Sequence, residues 1–270
     1  MSANIAVIGD VHLAFNQRDV QWFNASGYDL LLFVGDLAQY TGRGGRRISR
    51  ILGQLTKPGL VIPGNHDNEQ AIEWLTKSLS DSFMEVGGYS VHGFSFKAMD
   101  FDVIVARPHS NGGSGLHMTR TLSKKWNVQT MEDSVERLKR CVDATKSEHL
   151  VFLCHNGPAG LGDRPEDIWG CDFLAEMCDY GDLDLQMTIA YARSIGKSVR
   201  LVVGGHMHLG LRGGGIREWH RVEHGVTYVN AAEVPRIRPV PGGWEHAHVS
   251  IHLDQEQVHA AREKVAMHSS

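Results

Sequence analysis

The chain has 270 residues, 42% of them hydrophobic and 21% charged, which is the make-up of a globular domain and excludes a disordered or low-complexity protein. Its formal charge of −4 argues against the broad basic surface of a nucleic-acid binder. No apolar run approaches the roughly 20 residues needed to span a bilayer, so no membrane association is expected.

In chain order, the N-terminus "MSANIAVIGD" enters a strand at once, without the pattern of a secretion signal. "NIAVIGDVH" (4–12), "YDLLLFVGD" (28–36) and "GLVIPGNHD" (59–67) are continuous apolar runs, which read as strands buried on both faces. Helical spacing connects them over 16–26 and 45–55 and follows the third over 68–80. "YSVHGFSFKAMDFDVIVARPHS" (89–110) reads as further strands. A helix over 130–146 opens with Thr130 as N-cap and Asp133 in its first turn. It leads into the strand "HLVFLCHNGP" (149–158). A helix over 183–196 stops at Gly196 and precedes "RLVVGGHMH" (200–208). Shorter strands follow over 225–233, 246–254 and 257–265. Strands alternating with helices predict an α/β fold, and the absence of repeats and linkers predicts one domain over 1–270. Cys141, Cys154, Cys171 and Cys178 form no C-x-x-C pair and read as reduced thiols. A cytoplasmic location is the expectation.

Each of the five buried strands delivers polar side chains just past its carboxyl end. These are Asp10 and His12, then Asp36, then Asn65 and His66, then His155, then His206 and His208. In α/β sheets that end of the strands is where ligands bind. Neutral imidazole mixed with carboxylate oxygen suits borderline divalent metals such as Mn, Fe, Zn or Ni, and the donors suffice for two ions. At i and i+2 along a strand, His206 and His208 would share one face.

"GDVH" (9–12), "GD" (35–36), "GNHD" (64–67), "HNGP" (155–158) and "GHMH" (205–208) occur in the order found in the calcineurin-like metallophosphoesterase superfamily, which this chain resembles over residues 9–208. The resemblance implies a four-layer αββα sandwich of two mixed β-sheets flanked by helices, with the strands of 225–265 completing the sheets. It implies two divalent metal ions, one held by Asp10, His12, Asp36 and His208 and the other by Asp36, Asn65, His155 and His206. Asp36 would bridge them, and a metal-bridging hydroxide would attack a phosphate mono- or diester. His66 would be the general acid, a role its intrinsic pKa suits. Asp67 either accepts a hydrogen bond from His66 and keeps it charged, or caps the following helix.

The Ser/Thr protein phosphatases of this superfamily carry "GNHE", whereas this chain has "GNHD", with Leu13 after His12 and Leu37-Ala38 after Asp36. This places it nearer the small-molecule and nucleotide phosphodiesterases, and a small-molecule or nucleotide ester is the expected substrate. A protein phosphatase, or a metal-free scaffold of the same fold, are the alternatives. Every matched position is filled, which disfavours the scaffold. Three loops are candidates to line the substrate mouth. "YTGRGGRRISR" (40–50) offers Arg43 to a second phosphate, although such charge runs are usually solvated faces. "ARPHSNGGSGLH" (106–117) offers Arg107, His109 and His117. "GLGDRPEDIWGCDF" (160–173) offers Trp169 and Phe173 or is a packed surface loop. "HAH" (246–248) lacks flanking glycines and partner carboxylates and reads as strand surface.

Overall fold

Period-two burial organises the first sheet. In β1 (Ser2–Ile8), Ala3, Ile5 and Val7 face one side and Ala6 and Ile8 the other. β2 (Leu30–Phe33) divides in the same way, with Leu30 and Leu32 opposite Leu31 and Phe33. Both faces are apolar because both are covered. The computed structural model describes residues 1–39, 43–79 and 83–268.

Helices α1 (Gln17–Ala25), α2 (Gly45–Leu52) and α3 (Glu69–Leu79) follow β1, β2 and β3 (Gly59–Val61) in turn. Their apolar stripes, Val20 and Phe23, Ile48 and Leu52, Leu75 and Leu79, pack on the Ala6, Leu31 and Phe33 face. Each such side chain taken from water contributes about 1.5–3 kcal/mol. β4 (Met84–Val86) closes one edge. The hairpin β5 (Ser90–Phe96) and β6 (Met99–Val105) opens a second sheet. After α4 (Thr119–Trp126) and α5 (Met131–Asp143) come β7 (His149–Leu153), α6 (Leu183–Ser194) and β8 (Ser198–Gly204). The remaining strands are β9 (His220–Glu223), β10 (Val226–Asn230), β11 (Ile237–Val240), β12 (Gly243–Asp254) and β13 (Val258–His268).

β1 to β4 are parallel neighbours, and β12 pairs antiparallel with β1 and β11 on one edge and with β13 on the other. The second sheet runs β5-β6-β7-β8-β10-β9, parallel in its middle and antiparallel at both ends. Side chains of β1, β2 and β3 join those of β6, β7 and β8 in one apolar cluster, which Leu122, Leu138, Val142 and Ile189 of α4, α5 and α6 extend on the far side. The layers are therefore helix, sheet, sheet, helix, as expected: two mixed sheets flanked by helices.

The capping box at Thr130 and Asp133 is formed in both directions, and a second one, Asn16 with Asp19, starts α1. No helix among the described residues is long and apolar enough to cross a membrane. All four cysteines are free thiols. α4 gave no readable signal: it begins at Met118 in a left-handed conformation with no capping side chain, and only Thr121 and Leu122 are buried.

The "HAH" segment corrects the sequence reading. His246 and His248 are buried beneath α1, not on the surface. His246 lies 2.8 Å from Asp19 and stacks on Phe23, while His248 Nε2 is 2.8 Å from the Tyr28 hydroxyl. The partners of both histidines lie more than 200 residues earlier, where strand periodicity cannot register them.

Candidate metal centre

The carboxyl ends of β1, β2, β3, β7 and β8 meet along one edge of the stacked sheets. The turns that leave them are strained. His12, Asp36 and His206 are non-glycine residues with φ of 42°, 49° and 66°. Tertiary hydrogen bonds hold them there: His12 N–H donates to the Asp36 carbonyl (2.7 Å), Gly205 N–H to the His155 carbonyl (2.6 Å), and His206 N–H to Asp10 Oδ1 (3.1 Å). His206 and His208 thus stand in a turn beyond β8, not on the strand itself. The left-handed turn at His206 aims it at His155 (ring centroids 5.1 Å apart), while His208 meets His12 (5.4 Å). Strand alternation does not set this pair; the turn does.

Three overlapping side-chain sets result among the described residues: His12, Asp36 and His66 form one, and the other two fall within the expected ligand sets. Asp10, His12 and His208 place one ligand atom each within 4.8 Å of one another, and Asp36, His155 and His206 do the same. Asp36 lies between them. Its Oδ1 is 3.4 Å from His155 Nε2, and its Oδ2 is 3.8 Å from His12 Nε2 and 3.9 Å from His66 Nε2. Asn65 joins the second set, with Oδ1 2.9 Å from His155 Nε2. Its amide nitrogen donates to Asn111 Oδ1, which turns the Asn65 oxygen inward.

These residues fit divalent cations. His155 Nδ1 donates to the Val34 carbonyl (2.6 Å), so in the neutral ring Nε2 is a lone pair facing the Asn65 oxygen, acceptor against acceptor. Burial lowers the His155 pKa, which keeps the ring neutral. His12 Nε2 and His208 Nε2 are 3.3 Å apart, and Asp10 Oδ2, 3.4 Å from His208 Nε2, is buried with no hydrogen-bond partner among the described residues. Burial, then Asp10 and Asp67, push Asp36 well above the carboxylate range. Burial raises Asp10 too, but His208, His155 and His12 more than reverse it. Two buried acids pushed apart in this way can both ionise only beside positive charge.

Close backbone approach makes glycine necessary at Gly64. A Cβ there would sit 2.2 Å from Asp36 Oδ1 and 2.7 Å from His155 Cε1. Such a Cβ would also sit 2.5 Å from the Asp36 backbone nitrogen, which no side-chain rotation relieves, so Gly64→Ala is expected to displace the Asp36 turn and to lose at least about 100-fold in turnover together with bound metal. Metal analysis beside kinetics checks this. Normal metal content with normal turnover would show that the approach is not needed.

The other predicted residues are placed differently. Asp67 neither meets His66 nor caps α3. Its buried carboxylate accepts the N–H groups of Leu37, Ala38 and Gly64 and so ties the Asp36 turn to the "GNHD" turn; burial raises its pKa to about 6. Asn68 takes the capping position, accepting from Ala71 N–H. Arg107 is not at the substrate mouth. It is 1% exposed and ion-paired with Asp182 and Asp184 at 2.8 Å, where burial pushes Asp182 up to about 7. His109 is fully buried behind the site, with Nδ1 3.0 Å from the Gly64 carbonyl. Arg43 is exposed, and the cavity lining among the described residues does not include it. Residues 40–42 of its loop lie outside the described residues. Trp169 is buried, with its indole N–H directed to the Gly205 carbonyl, whereas Phe173 does reach the cavity.

That cavity, about 310 Å³, has Asp36, His66, His206 and His208 on its floor. Asn111, Asp172, Tyr180 and Arg212 also line it; Asn111 and Asp172 fall in two of the candidate loops without being singled out, and sequence reasoning missed Tyr180 and Arg212. They lie in irregular loops with neither periodicity nor motif.

A family model described as calcineurin-like phosphoesterase matches residues 3–210. The chain belongs to the calcineurin-like phosphoesterase family. No curated protein matches it. One solved crystal structure is 12% identical, covers 97% of this chain and 99% of that one, and superposes with a TM-score of 0.63. A dimetal phosphatase from Danio rerio is 13% identical, with 96% of this chain and 98% of that one covered and a TM-score of 0.46. An archaeal phosphodiesterase is 12% identical, with coverages of 96% and 99% and a TM-score of 0.39. The first of these is a likeness of fold. Family membership together with the two ligand sets supports a metal-dependent phosphoesterase, a hydrolase. In this calcineurin-like phosphoesterase the family motifs supply the cavity floor, and the wall is built by residues outside them.

Proposed function

We propose that the chain hydrolyses phosphate mono- or diesters of small molecules or nucleotides with two divalent ions drawn from Mn, Fe, Zn and Ni. Asp10, His12, Asp36 and His208 would hold one ion and Asp36, Asn65, His155 and His206 the other. One observation carries the reading: the two oxygens of Asp36 face different donor sets. A carboxylate so placed can serve two cations together. When bound, the ions would supply an acidified water and neutralise phosphate charge.

The chain's own groups do the rest. The Val34 carbonyl and Asn111 orient His155 and Asn65 before any ligand arrives. The imidazole of His66 is half-buried at the cavity floor, within reach of a leaving oxygen. Its intrinsic pKa does not survive the site: burial, then His12 and His155, lower it to about 4, so it is neutral at pH 7 in the ligand-free chain. A substrate phosphate against the ring restores its proton affinity, and protonation of the leaving oxygen is then tied to occupancy of the site.

Dialysis against a chelator is expected to lower activity on p-nitrophenyl phosphate and bis-p-nitrophenyl phosphate at least about 100-fold, with recovery on adding Mn²⁺. Metal analysis should then find two ions per chain. Full activity in the chelator would overturn the reading.

A further inference from the structure

One wall of the cavity has no part in holding metal. It is built by the segment 170–181 and the turn after Gly210. Phe173 and Tyr180 meet edge to face, with ring centroids 4.9 Å apart, and the Arg212 guanidinium lies 5.3 Å above the Phe173 ring. Tyr180 is nearly parallel to His206, at 16° and 6.4 Å, so the aromatic surface runs down to the metal centre.

Arg212 is available to a ligand. Its backbone N–H is bound by Asp172 Oδ2, but the other oxygen of Asp172 is 3.3 Å from Arg217. No carboxylate among the described residues pairs with the Arg212 side chain, which is exposed at the cavity lip. Phe173 remains 37% exposed there.

The base of the wall is pinned by hydrogen bonds. Arg217 is 1% exposed and donates to the carbonyls of Pro165, Asp167 and Gly170 beneath the segment. Tyr180 donates its N–H to the Trp169 carbonyl (3.0 Å), and its own carbonyl accepts from Gly113 N–H (2.9 Å) and Asn156 Nδ2 (2.8 Å). Free Cys171 and Cys178 face each other at the base of the segment, where Cys171 N–H donates to the Cys178 carbonyl. A wall whose backbone is anchored before binding loses less entropy when a ligand arrives. Guanidinium stacked on one ring presents its other face to a second ring and its edge to an anion.

We propose that Phe173, Tyr180 and Arg212 form a leaving-group subsite, and that the substrate is a ring-bearing phosphoanhydride whose scissile terminal phosphate is joined through a bridging oxygen to a second phosphate, the class to which nucleoside diphosphates belong. The ring packs on the Phe173–Arg212 stack, and Arg212 pairs with the second phosphate. A cavity of about 310 Å³ suits one such group in addition to the phosphate on the floor. In the reaction, a water oxygen bonds to the terminal phosphorus, the bond to the bridging oxygen breaks, and its electron pair leaves on the second phosphate. The water's protons pass to the leaving phosphate or to solvent. This inference rests on the phosphoesterase reading.

The test crosses ring against charge. ADP carries both features, p-nitrophenyl phosphate only the ring, and inorganic pyrophosphate only the second phosphate. With the Mn²⁺-loaded chain, Arg212→Ala is expected to raise KM for ADP and pyrophosphate at least about tenfold more than KM for p-nitrophenyl phosphate. Phe173→Leu keeps the apolar volume and removes the π face. It should raise KM for ADP and p-nitrophenyl phosphate more than KM for pyrophosphate. Both side chains are at the surface, so folding is not at issue. Equilibrium dialysis of ADP gives a readout apart from turnover. ADP binding that weakens in both variants while nothing is hydrolysed supports the subsite and removes the phosphoesterase reading. Hydrolysis of p-nitrophenyl phosphate with ADP neither bound nor cleaved removes the subsite alone. Equal effects of Arg212→Ala on all three probes also overturn it.

Discussion

Asp36→Asn is expected to lower kcat/KM by about three orders of magnitude or more and to reduce bound metal from two ions per chain to one or none. The metal-free variant should nevertheless melt no lower than the metal-free wild type. The reasons are separable. Asp36 is 2% exposed, its carboxylate stands between the two donor sets, and burial with Asp10 and Asp67 nearby makes its charge costly when no cation is present. An amide has the same shape, keeps an oxygen for the His66 N–H that Asp36 Oδ1 now accepts (2.9 Å), and has no charge to desolvate. A residue that costs stability and is needed for chemistry is the signature of a site, not of a core. Kinetics, metal analysis and thermal melts in chelator check the three parts. Wild-type turnover with unchanged metal content would remove Asp36 from the centre. His66→Ala is the counterpart: metal content should hold while turnover falls, since His66 belongs to neither of the proposed ligand sets.

The metal-free protein is expected to lose stability as pH falls from about 6.5 towards 4. Burial comes first among the causes that lower His66 and His109 to about 4 and His206 and His248 to about 3. Their folded values lie below the unfolded value of 6.5. The unfolded chain therefore takes up these protons first, and stability present above pH 6.5 is lost as pH drops towards the folded values. Asp36, which burial pushes well above the carboxylate range, acts in the opposite sense, as do Asp67 and Asp182. The folded values of Asp67 and Asp182, raised by burial to about 6 and about 7, give stability at low pH that is lost as pH rises through them. The histidines, to which His12 and His155 add in the same direction, outnumber them. His248 separates this effect from metal binding, because it packs against Trp22, Phe23 and Tyr28 far from the centre. His248→Phe should narrow the difference in melting temperature between pH 7 and pH 4.5. An unchanged difference would show that His248 does not titrate with unfolding.

The floor of the site was legible because its signals are local. A strand buried on both faces reads as an apolar run, and the turn that ends it must carry glycine and short polar side chains, so "GDVH", "GNHD" and "GHMH" each announce themselves within a few residues. Arg107 and His109 misled for the same reason. Their loop looks like a flexible mouth until Asp182 and Asp184, some 75 residues on, and the Gly64 carbonyl, 45 residues back, take them into the interior. Asp67 misled in a subtler way. Its neighbours in sequence suggested His66 or a helix cap, and its partners turned out to be N–H groups of the Asp36 turn.

By itself the sequence determined the alternation of strands and helices, the strand ends at which ligands gather, and the residue types that gather there, since these follow from short-range periodicity and turn chemistry. Only the tertiary structure decided which histidine faces which carboxylate, that Asp36 stands between two donor sets, and that Phe173, Tyr180 and Arg212 wall the cavity. Apart from the Phe173–Tyr180 pair, those are contacts between residues roughly 24 to 198 apart in the chain, fixed by sheet packing and buried hydrogen bonds, and no local pattern in the chain encodes them.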